Sequence, residues 1–249
     1  MIKGFYAAAS AMLANLTRQE HLSHNIANID TPGFKQVMTS MDDFVETGIY
    51  YPQPGNINHS YLGNLGLGVE SSPAITDFSE AGLQHTGQPL DLAINGNGFF
   101  QVETDNGTRY TRDGRFSRDA EGQLVTVDGY LVLDNNEAPI TIDPGLIAVG
   151  PDGSISVNGV QAGQIGIAGF EDPAVELTAA EGNLFEATGG ATSIEVGSMQ
   201  QGFLEGSNAD PARLTTQMVQ VARAYEAAQR LVQSQDELLG RAISTLGRF

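Results

Sequence analysis

The chain has 249 residues and a formal net charge of −18, and its length allows one or two domains with a sizeable core. Its 30 Gly, 10 Pro and 41% hydrophobic residues are typical of a globular, turn-rich protein. The absence of cysteine excludes disulfides and thiolate metal sites, and no apolar run approaches the roughly 20 residues that a membrane-spanning helix needs.

The negative charge is concentrated in the middle of the sequence. Residues 41–204 contain four Arg and 23 Asp or Glu, a net charge of −19, whereas residues 1–40 and 205–249 are nearly neutral. Nucleic-acid binding depends on Lys and Arg at the phosphates, so an acidic middle argues against it. An acidic surface keeps a concentrated protein soluble, and neutral ends suit self-association.

The N-terminal segment predicts an amphipathic helix. Six of eight positions spaced alternately by three and four residues are apolar, as in a heptad seam. The helix should end near Asn28, because Asn28 and Asp30 compete for backbone hydrogen bonds and Pro32 disfavours helix before it. Gly33 suits a positive φ at the turn. We define the apolar positions as the N-terminal stripe: Ile2, Phe5, Ala9, Met12, Leu16 and Ile26.

The apolar residues of this segment form a stripe rather than a continuous block. Tyr6, Ser10 and Asn15 interrupt any hydrophobic run. A cleaved signal peptide requires such a run, so we expect that an exported chain would keep this segment.

The middle of the chain divides into two regions. Residues 34–75 carry Pro, Gly and Asn without clear periodicity and predict an extended connection with little core of its own. Residues 76–207 alternate short strands such as FFQVE, TRYTR, QLVTV, ITI and SISVNG with Asn-Gly and Asp-Gly turns. Turn signals about every ten residues predict a compact antiparallel β-sandwich or barrel. No helical period lies between the strands, which argues against a parallel sheet.

The C-terminal segment predicts a long second helix. Asp210 is a suitable N-cap, and Pro211 suits the first helical position. Ten of eleven positions at three-four spacing are apolar, and Gln235 is the exception. We define these ten as the C-terminal stripe: Leu214, Met218, Val221, Tyr225, Ala228, Val232, Leu239, Ala242, Leu246 and Phe249.

Two narrow stripes at opposite ends of the chain predict that the terminal helices pair as an antiparallel coiled coil. The alternative is that each helix packs separately on the central domain. The predicted fold is α+β and mainly β. A terminal helical domain comprises 1–33 and 208–249, the extended connection comprises 34–75, and the β-rich domain comprises 76–207.

The histidines and glycine-rich stretches do not predict an active site or a cofactor site. His21 and His24 lie on the first helix without a third ligand at fixed spacing, which favours a solvated helix face. His59 and His85 are isolated. INGNGFF and GLGLGVE lack the third glycine and following helix of a dinucleotide site. DNNEAPITID lacks the ligand spacing of a calcium-binding EF-hand.

The only basic residues of the middle region lie together in RYTRDGRFSR. On a hairpin they could form an anion site. Ion pairs with nearby carboxylates, or with an acidic neighbouring subunit, are the favoured interpretation. The four residues are Arg109, Arg112, Arg115 and Arg118.

Three blocks of sequence resemble the bacterial flagellar axial proteins of the rod and hook. LSHNIANIDTPGFK is similar to the N-terminal signature of that family, GQPLDLAINGNGFFQVE to the opening of its β-domain, and QGFLEGSNADPARLTTQMVQVARAYEAAQ to its C-terminal helix. The resemblance implies a structural subunit of the basal-body rod, with neither enzymatic activity nor a cofactor. The residues that carry the two terminal motifs are Asn25, Asn28, Gly33, Phe34, Glu205, Gly206, Ser207 and Asn208.

The resemblance also implies how the chain is used. It implies export through the flagellar type III apparatus without cleavage of a signal peptide. It also implies polymerisation into a helical tube that forms the drive shaft and the export channel. The implied partners are further copies of the chain, other rod subunits, the hook protein and the surrounding ring proteins, all at the periplasm-spanning basal body. GIYYPQPG and LGLGVESS are similar to a segment typical of the distal rather than the proximal rod subunit. The alternative function is a binding module, in which the β-domain recognises glycan or peptidoglycan and the helices dimerise it.

Overall fold

The computed structural model describes residues 2–43, 46–51, 60–189 and 196–246. These residues group into two structural units. Unit 1 takes its residues from 1–26, 37–75 and 210–249, and unit 2 takes its residues from 27–36 and 76–209. The two ends of the chain therefore contribute to the same unit.

The described residues contain three helices: α1 (Ile2–Ala27), α2 (Pro173–Glu176) and α3 (Pro211–Leu246). The Asp210 carboxylate caps α3, because it accepts hydrogen bonds from the backbone N–H groups of Ala212 (2.8 Å) and Arg213 (3.3 Å). The predicted end of α1 near Asn28 and the predicted start of α3 at Pro211 are both confirmed. None of the described helices combines the length and apolar character that crossing a membrane requires.

The segment predicted to be an extended connection contains short strands. β3 and β4 form a hairpin, β2 pairs with β5, and β1 pairs with β6. The backbone N–H of Val69 donates to Ser10 Oγ at 3.1 Å, and a Cβ at Gly68 would lie 2.5 Å from the same oxygen. This segment therefore lies against α1. The strands are β1 (Val37–Met38), β2 (Met41–Asp43), β3 (Glu46–Tyr51), β4 (Ser60–Gly66), β5 (Val69–Ser71) and β6 (Ile75–Thr76).

Unit 2 is built on an antiparallel sheet of eight strands. Its order is β11-β12-β13-β9-β10-β19-β18, and β17 also pairs with β9. Smaller sheets are β14-β15-β16, β20-β8 and β21-β7. The strands are β7 (Leu83–His85), β8 (Leu92–Asn95), β9 (Phe99–Thr104), β10 (Gly107–Thr111), β11 (Phe116–Arg118), β12 (Leu124–Thr126), β13 (Leu131–Val132), β14 (Ile147–Val149), β15 (Ser154–Val157), β16 (Val160–Gln164), β17 (Ile167–Ala168), β18 (Leu177–Ala179), β19 (Phe185–Ala187), β20 (Ser198–Gln201) and β21 (Phe203–Glu205).

The prediction of antiparallel β-structure in the middle of the chain is confirmed, but the described strands do not close into a barrel. The predicted strand ITI (140–142) forms only an isolated bridge between Thr141 and Gln123. The predicted Asn158-Gly159 turn joins β15 to β16, with φ of +52° and +83°. Positive φ at both central residues suits the twist of a two-residue hairpin.

Strand β9 separates two clusters of buried side chains. Successive residues of a strand point to opposite faces, so Phe100 enters one cluster and Phe99 the other. The larger cluster is mainly aliphatic, and the smaller one is mainly aromatic, with Phe99 packed edge-on against Phe170 at a centroid distance of 5.7 Å. Burying one such side chain contributes about 1.5–3 kcal/mol. The aromatic cluster positions a buried arginine, Arg112, whose guanidinium lies 5.0 Å from the centre of the Phe99 ring.

Candidate functional site

Three charged side chains meet in the interior of unit 2, and we call them the buried charge cluster: Lys35, Arg112 and Glu205. Lys35 Nζ lies 2.7 Å from Glu205 Oε1, and Arg112 Nη1 lies 3.1 Å from Glu205 Oε2. Their side chains are 0%, 4% and 2% exposed, respectively. The three residues lie after α1, after β10 and at the end of β21, so the cluster joins three distant parts of the sequence.

Backbone groups and an aromatic ring make further contacts with the cluster. Arg112 also lies over the Phe99 ring, an arrangement that stabilises a desolvated guanidinium. Its Nε has no hydrogen-bond partner among the described atoms. The backbone partners are Ser79 O for Lys35 (2.7 Å), Gly96 O for Arg112 (2.8 Å) and Ala81 N for Glu205 (3.1 Å).

The cluster holds two cations against one anion. Burial lowers the pKa of the Lys35 ammonium below its ordinary value of 10.5, and the adjacent Glu205 carboxylate offsets part of that effect. Removing one partner of such a buried pair leaves an uncompensated charge. Because the three side chains are almost fully screened from solvent, the cluster fixes how chain segments meet and does not offer groups to a solute.

The turn after α1 delivers Lys35 to the cluster through Gly33. Gly33 has a φ of +68°, and a Cβ at this position would overlap the Arg112 carbonyl group. Its N–H donates to the Glu205 carbonyl oxygen at 2.8 Å. Phe34, the next residue, is buried. Glycine is therefore required here both by its conformation and by the close approach of the Arg112 backbone.

Asn208 ties the C-terminal motif to the same turn. Its Oδ1 accepts a hydrogen bond from the Gln36 N–H at 2.7 Å, and its Nδ2 donates to the Asp77 carbonyl oxygen at 2.7 Å. Its own N–H donates to the Phe34 carbonyl oxygen at 3.3 Å. Gly206 is also bonded through its backbone, donating to the Gly82 carbonyl oxygen at 3.0 Å.

The remaining motif residues make local contacts. Asn25 binds the backbone of Val37 in unit 1, donating to its carbonyl oxygen at 2.7 Å and accepting from its N–H at 2.9 Å. The Asn28 carbonyl oxygen accepts a hydrogen bond from the Thr31 N–H at 3.2 Å. Ser207 Oγ accepts from the N–H of Ala209 at 3.3 Å. The two asparagines of the N-terminal motif therefore order the chain on either side of the end of α1.

The most buried positions of α1 differ from the N-terminal stripe. Phe5 and Leu16 are 40% and 44% exposed, whereas Ala8, Ala14 and Leu22 are buried. The side chain of Ile2 lies outside the described residues. The half-buried members of the stripe are Ala9, Met12 and Ile26.

The C-terminal stripe follows the less exposed side of α3. Leu214, Val221 and Ala228 are 2%, 2% and 6% exposed. The side chain of Leu246 and all of Phe249 lie outside the described residues. The half-buried members of the stripe are Met218, Tyr225, Val232, Leu239 and Ala242.

The four arginines of the middle region do not share one site. Arg112 belongs to the buried charge cluster, and Arg118 is exposed. The other two pair with carboxylates of this chain, Arg109 with Glu186 at 3.2 Å and Arg115 with Asp113 at 2.6 Å. A common anion site on this hairpin is therefore not supported.

The histidines are dispersed in the structure. His21 lines a groove of about 500 Å³ between α1 and β5, and His24 is exposed on the same helix. His85 packs edge-on against Phe203 at a centroid distance of 4.9 Å, and His59 lies outside the described residues. In the part of the chain that the structure describes, no three His, Asp or Glu side chains converge on a metal position.

The sequence prediction did not nominate Lys35, although it lies in the N-terminal block beside Gly33 and Phe34. A signal was present, because Lys35 is one of two lysines in the chain. A lone lysine directly after a predicted glycine turn is a candidate for a specific ion pair. Ser79, which contacts Lys35, and Ser10, which contacts β5, carried no comparable signal in the sequence.

These features are typical of a structural protein: the buried charge cluster is closed to solvent and joins distant chain segments, and a long helix lies towards each end of the chain. Family models match the chain in three places. The model described as flagella basal body rod protein matches residues 5–35, the flagellar hook protein FlgE/F/G D1 domain matches 93–157, and the flagellar basal body rod FlgEFG protein C-terminal matches 200–245.

Curated relatives match along almost the whole chain. The flagellar basal-body rod protein FlgG of Bacillus subtilis is 32% identical over 98% of this chain and 99% of its own length. FlgF of Caulobacter vibrioides is 34% identical over 100% of both chains. FlgG of Agrobacterium fabrum is 35% identical over 93% of this chain and 94% of its own. The chain therefore belongs to the flagellar basal-body rod proteins.

The protein is a structural subunit of the rod in the flagellar basal body, and it is not an enzyme. Two of the matched regions, 5–35 and 200–245, contain the two partners of the 2.7 Å ion pair, Lys35 and Glu205. Relatives named FlgG and FlgF match at similar identity, so the preference for the distal subunit stays a prediction.

Proposed function

We propose that the chain polymerises through its paired terminal helices into the helical tube of the rod, which serves as drive shaft and export channel. The observation that carries the proposal is that both chain ends contribute to unit 1. Within that unit, Gly4 of α1 faces α3. A Cβ at Gly4 would lie 3.7 Å from Gln235 Nε2, which supports direct packing of the two helices.

The positions of this contact support an antiparallel pair. Gly4 lies near the start of α1, which ends at Ala27, and Gln235 lies in the second half of α3, which begins at Pro211. At a rise of about 1.5 Å per residue, the stretch from Gly4 to Ala27 and the stretch from Pro211 to Gln235 are each about 35 Å long. Equal lengths are expected when the C-terminal end of α1 lies beside the N-terminal end of α3.

Exposed apolar side chains of unit 1 supply surfaces for neighbouring subunits. Contiguous apolar patches on a single chain mark interaction sites. Further copies of the chain, other rod subunits, the hook protein and ring proteins are the proposed partners. The exposed residues are Phe5, Tyr6, Leu13 and Leu16 on α1, Val219, Leu231, Leu238 and Ile243 on α3, and Ile49, Tyr50, Tyr61 and Leu62 on the β3–β4 hairpin.

Helix pairing is tested by disulfide formation. The sequence has no cysteine, so only the two introduced cysteines can form a disulfide within the chain. The double variant Gly4→Cys/Gln235→Cys should form an intrachain disulfide under mild oxidation, detected as faster migration on a non-reducing gel. The matched control is Tyr6→Cys/Gln235→Cys, since the Tyr6 side chain is 65% exposed. Equal yields in the two variants, or none in the first, would contradict the pairing.

Assembly is tested with two neighbouring alanines of α3. Ala228 is 6% exposed and belongs to the C-terminal stripe, whereas Ala227 is exposed. Ala228→Asp should abolish polymers seen by electron microscopy and sedimentation while circular dichroism retains the β signal, because a carboxylate on the buried side disrupts packing. Ala227→Asp should still assemble. Polymerisation of both variants at the wild-type concentration would contradict the role of the stripe.

A further inference from the structure

The three-stranded sheet β14-β15-β16 has one covered edge and one open edge. On the β14 side, the Gln201 side chain donates to the Ile147 carbonyl oxygen at 3.1 Å and accepts from the Val149 N–H at 3.2 Å. On the other side, β16 pairs with β15 and with no other strand among the described residues. An open edge presents backbone groups that can pair with another chain.

Strand β16 carries few of the features that usually protect an edge. Its sequence, VQAGQ, has no charged residue and no proline, although charges and prolines are the common safeguards. Its protective feature is a register shift, which leaves Ala162 without a partner on β15. Val160, Gln161 and Ala162 are exposed, Val160 at 71%.

A second exposed apolar residue lies at the same end of this sheet. Leu146, which precedes β14, is 80% exposed. Its carbonyl oxygen accepts a hydrogen bond from the Asn158 N–H at 2.9 Å, and Asn158 follows Val157, the partner of Val160 in the ladder. Leu146 therefore lies at the same end of the sheet as Val160, but on the β14 side, across β15 from the open edge.

The sequence that forms this three-stranded sheet carries little of the negative charge of the chain. Residues 144–170 contain one charged residue, Asp152, within a region, 41–204, that carries a net charge of −19. Juxtaposed like charges cost several kcal/mol at an interface, so two copies of this region can approach each other most favourably where charge is absent. A basic partner would instead be attracted to the carboxylates. The charge pattern therefore favours a second copy of the chain as the occupant.

We propose that the edge of β16, with Val160 exposed at its start, is a contact surface for a second copy of this chain, additional to the terminal helices. The proposal rests on the polymerisation proposed above. A short edge strand is a small interface on its own. The contact therefore contributes within the polymer, where subunits already joined by their helices have a high effective concentration.

The test compares two valines of similar exposure in the full-length chain. Val160→Glu places a charge on the proposed contact, and Val175→Glu places the same charge on α2, where Val175 is 74% exposed. The critical concentration for polymerisation is measured by sedimentation. Val160→Glu should raise it about tenfold or more, and Val175→Glu should leave it within about twofold of the wild type. Thermal unfolding of the unassembled variants should match that of the wild type.

Three other outcomes would overturn the proposal. If both variants assemble at the wild-type concentration, the β16 edge is not a contact and helix-driven polymerisation is unaffected. If both raise the critical concentration equally, the effect is general charge repulsion. If the wild-type chain stays monomeric at every concentration, the proposed polymerisation fails, and the contact fails with it.

Discussion

Replacing Glu205 by Gln removes the carboxylate that contacts both Lys35 and Arg112, while the size of the side chain is kept. Two cations are then left in an environment where their side chains are 0% and 4% exposed. Removing one partner of a buried ion pair costs about 3–5 kcal/mol. A natural domain has about 5–15 kcal/mol of stability in total. The variant should therefore lose a large fraction of the stability of unit 2.

The assay is urea unfolding of the full-length chain, followed by far-ultraviolet circular dichroism. With a denaturant slope of about 1–3 kcal/mol per molar urea for small proteins, a loss of about 4 kcal/mol lowers the midpoint by roughly 1.3–4 M. The matched control is Glu186→Gln, which removes a carboxylate that is 56% exposed and pairs with Arg109 at 3.2 Å. An exposed pair contributes about 0–1 kcal/mol, so this midpoint should barely move.

The reasoning is refuted if Glu205→Gln and Glu186→Gln lower the free energy of unfolding by similar amounts. A double variant adds a second check. Lys35→Met removes one of the two cations, so combining it with Glu205→Gln should cost less than the sum of the single changes, as expected for residues in direct contact. Strict additivity would mean that the Lys35–Glu205 pair does not contribute through its charges.

Three further outcomes are expected. In urea unfolding, Gly33→Ala should cost about 3 kcal/mol or more, because the added Cβ overlaps the Arg112 carbonyl group. Gly129→Ala should cost only about 1–2 kcal/mol, because Gly129 has a φ of +87° but no atom within 4 Å of the added Cβ. Burial lowers the pKa of Lys35, so between that lowered pKa and 10.5 the unfolded chain binds more protons at Lys35 than the folded chain does. In this pH range the free energy of unfolding of the wild type should therefore rise with pH relative to that of Lys35→Met. A difference between the two that does not change with pH would contradict this. Asp210→Ala should lower the stability of α3 by about 1 kcal/mol through loss of its cap, measured by hydrogen exchange of the first turn.

Local signals were sufficient to place the helix ends and several turns. Asp210 and Pro211 predict the start of α3 because capping and a fixed φ act within a few residues. Pro32 and Gly33 predict the end of α1 for the same reason. The turn at Asn158 is also local, since both of its central residues adopt positive φ.

The buried charge cluster depends on contacts that local patterns do not encode. Lys35 and Glu205 are 170 residues apart, and neither has a periodicity that points to the other. The four arginines illustrate the same limit. One hairpin sequence places Arg112 in the interior and Arg109 at a surface pair, because its position against Phe99 is determined by the packing of the whole sheet.

The strands of 37–75 were missed for a different reason. Short strands with Gly, Asn and Pro lack the alternation of polar and apolar residues on which a strand prediction relies. In the β3–β4 hairpin, Tyr50 and Tyr61 are 58% and 59% exposed, and none of the side chains described there is buried. Its described residues therefore lack the buried face that produces such alternation.

The 170-residue separation of Lys35 from Glu205 also affects when the chain can fold. When a chain emerges N-terminus first, for example from a ribosome, Lys35 emerges long before Glu205 does. Contacts of such long range form late and slow folding. Unit 2 therefore cannot complete its buried charge cluster until residue 205 has been released.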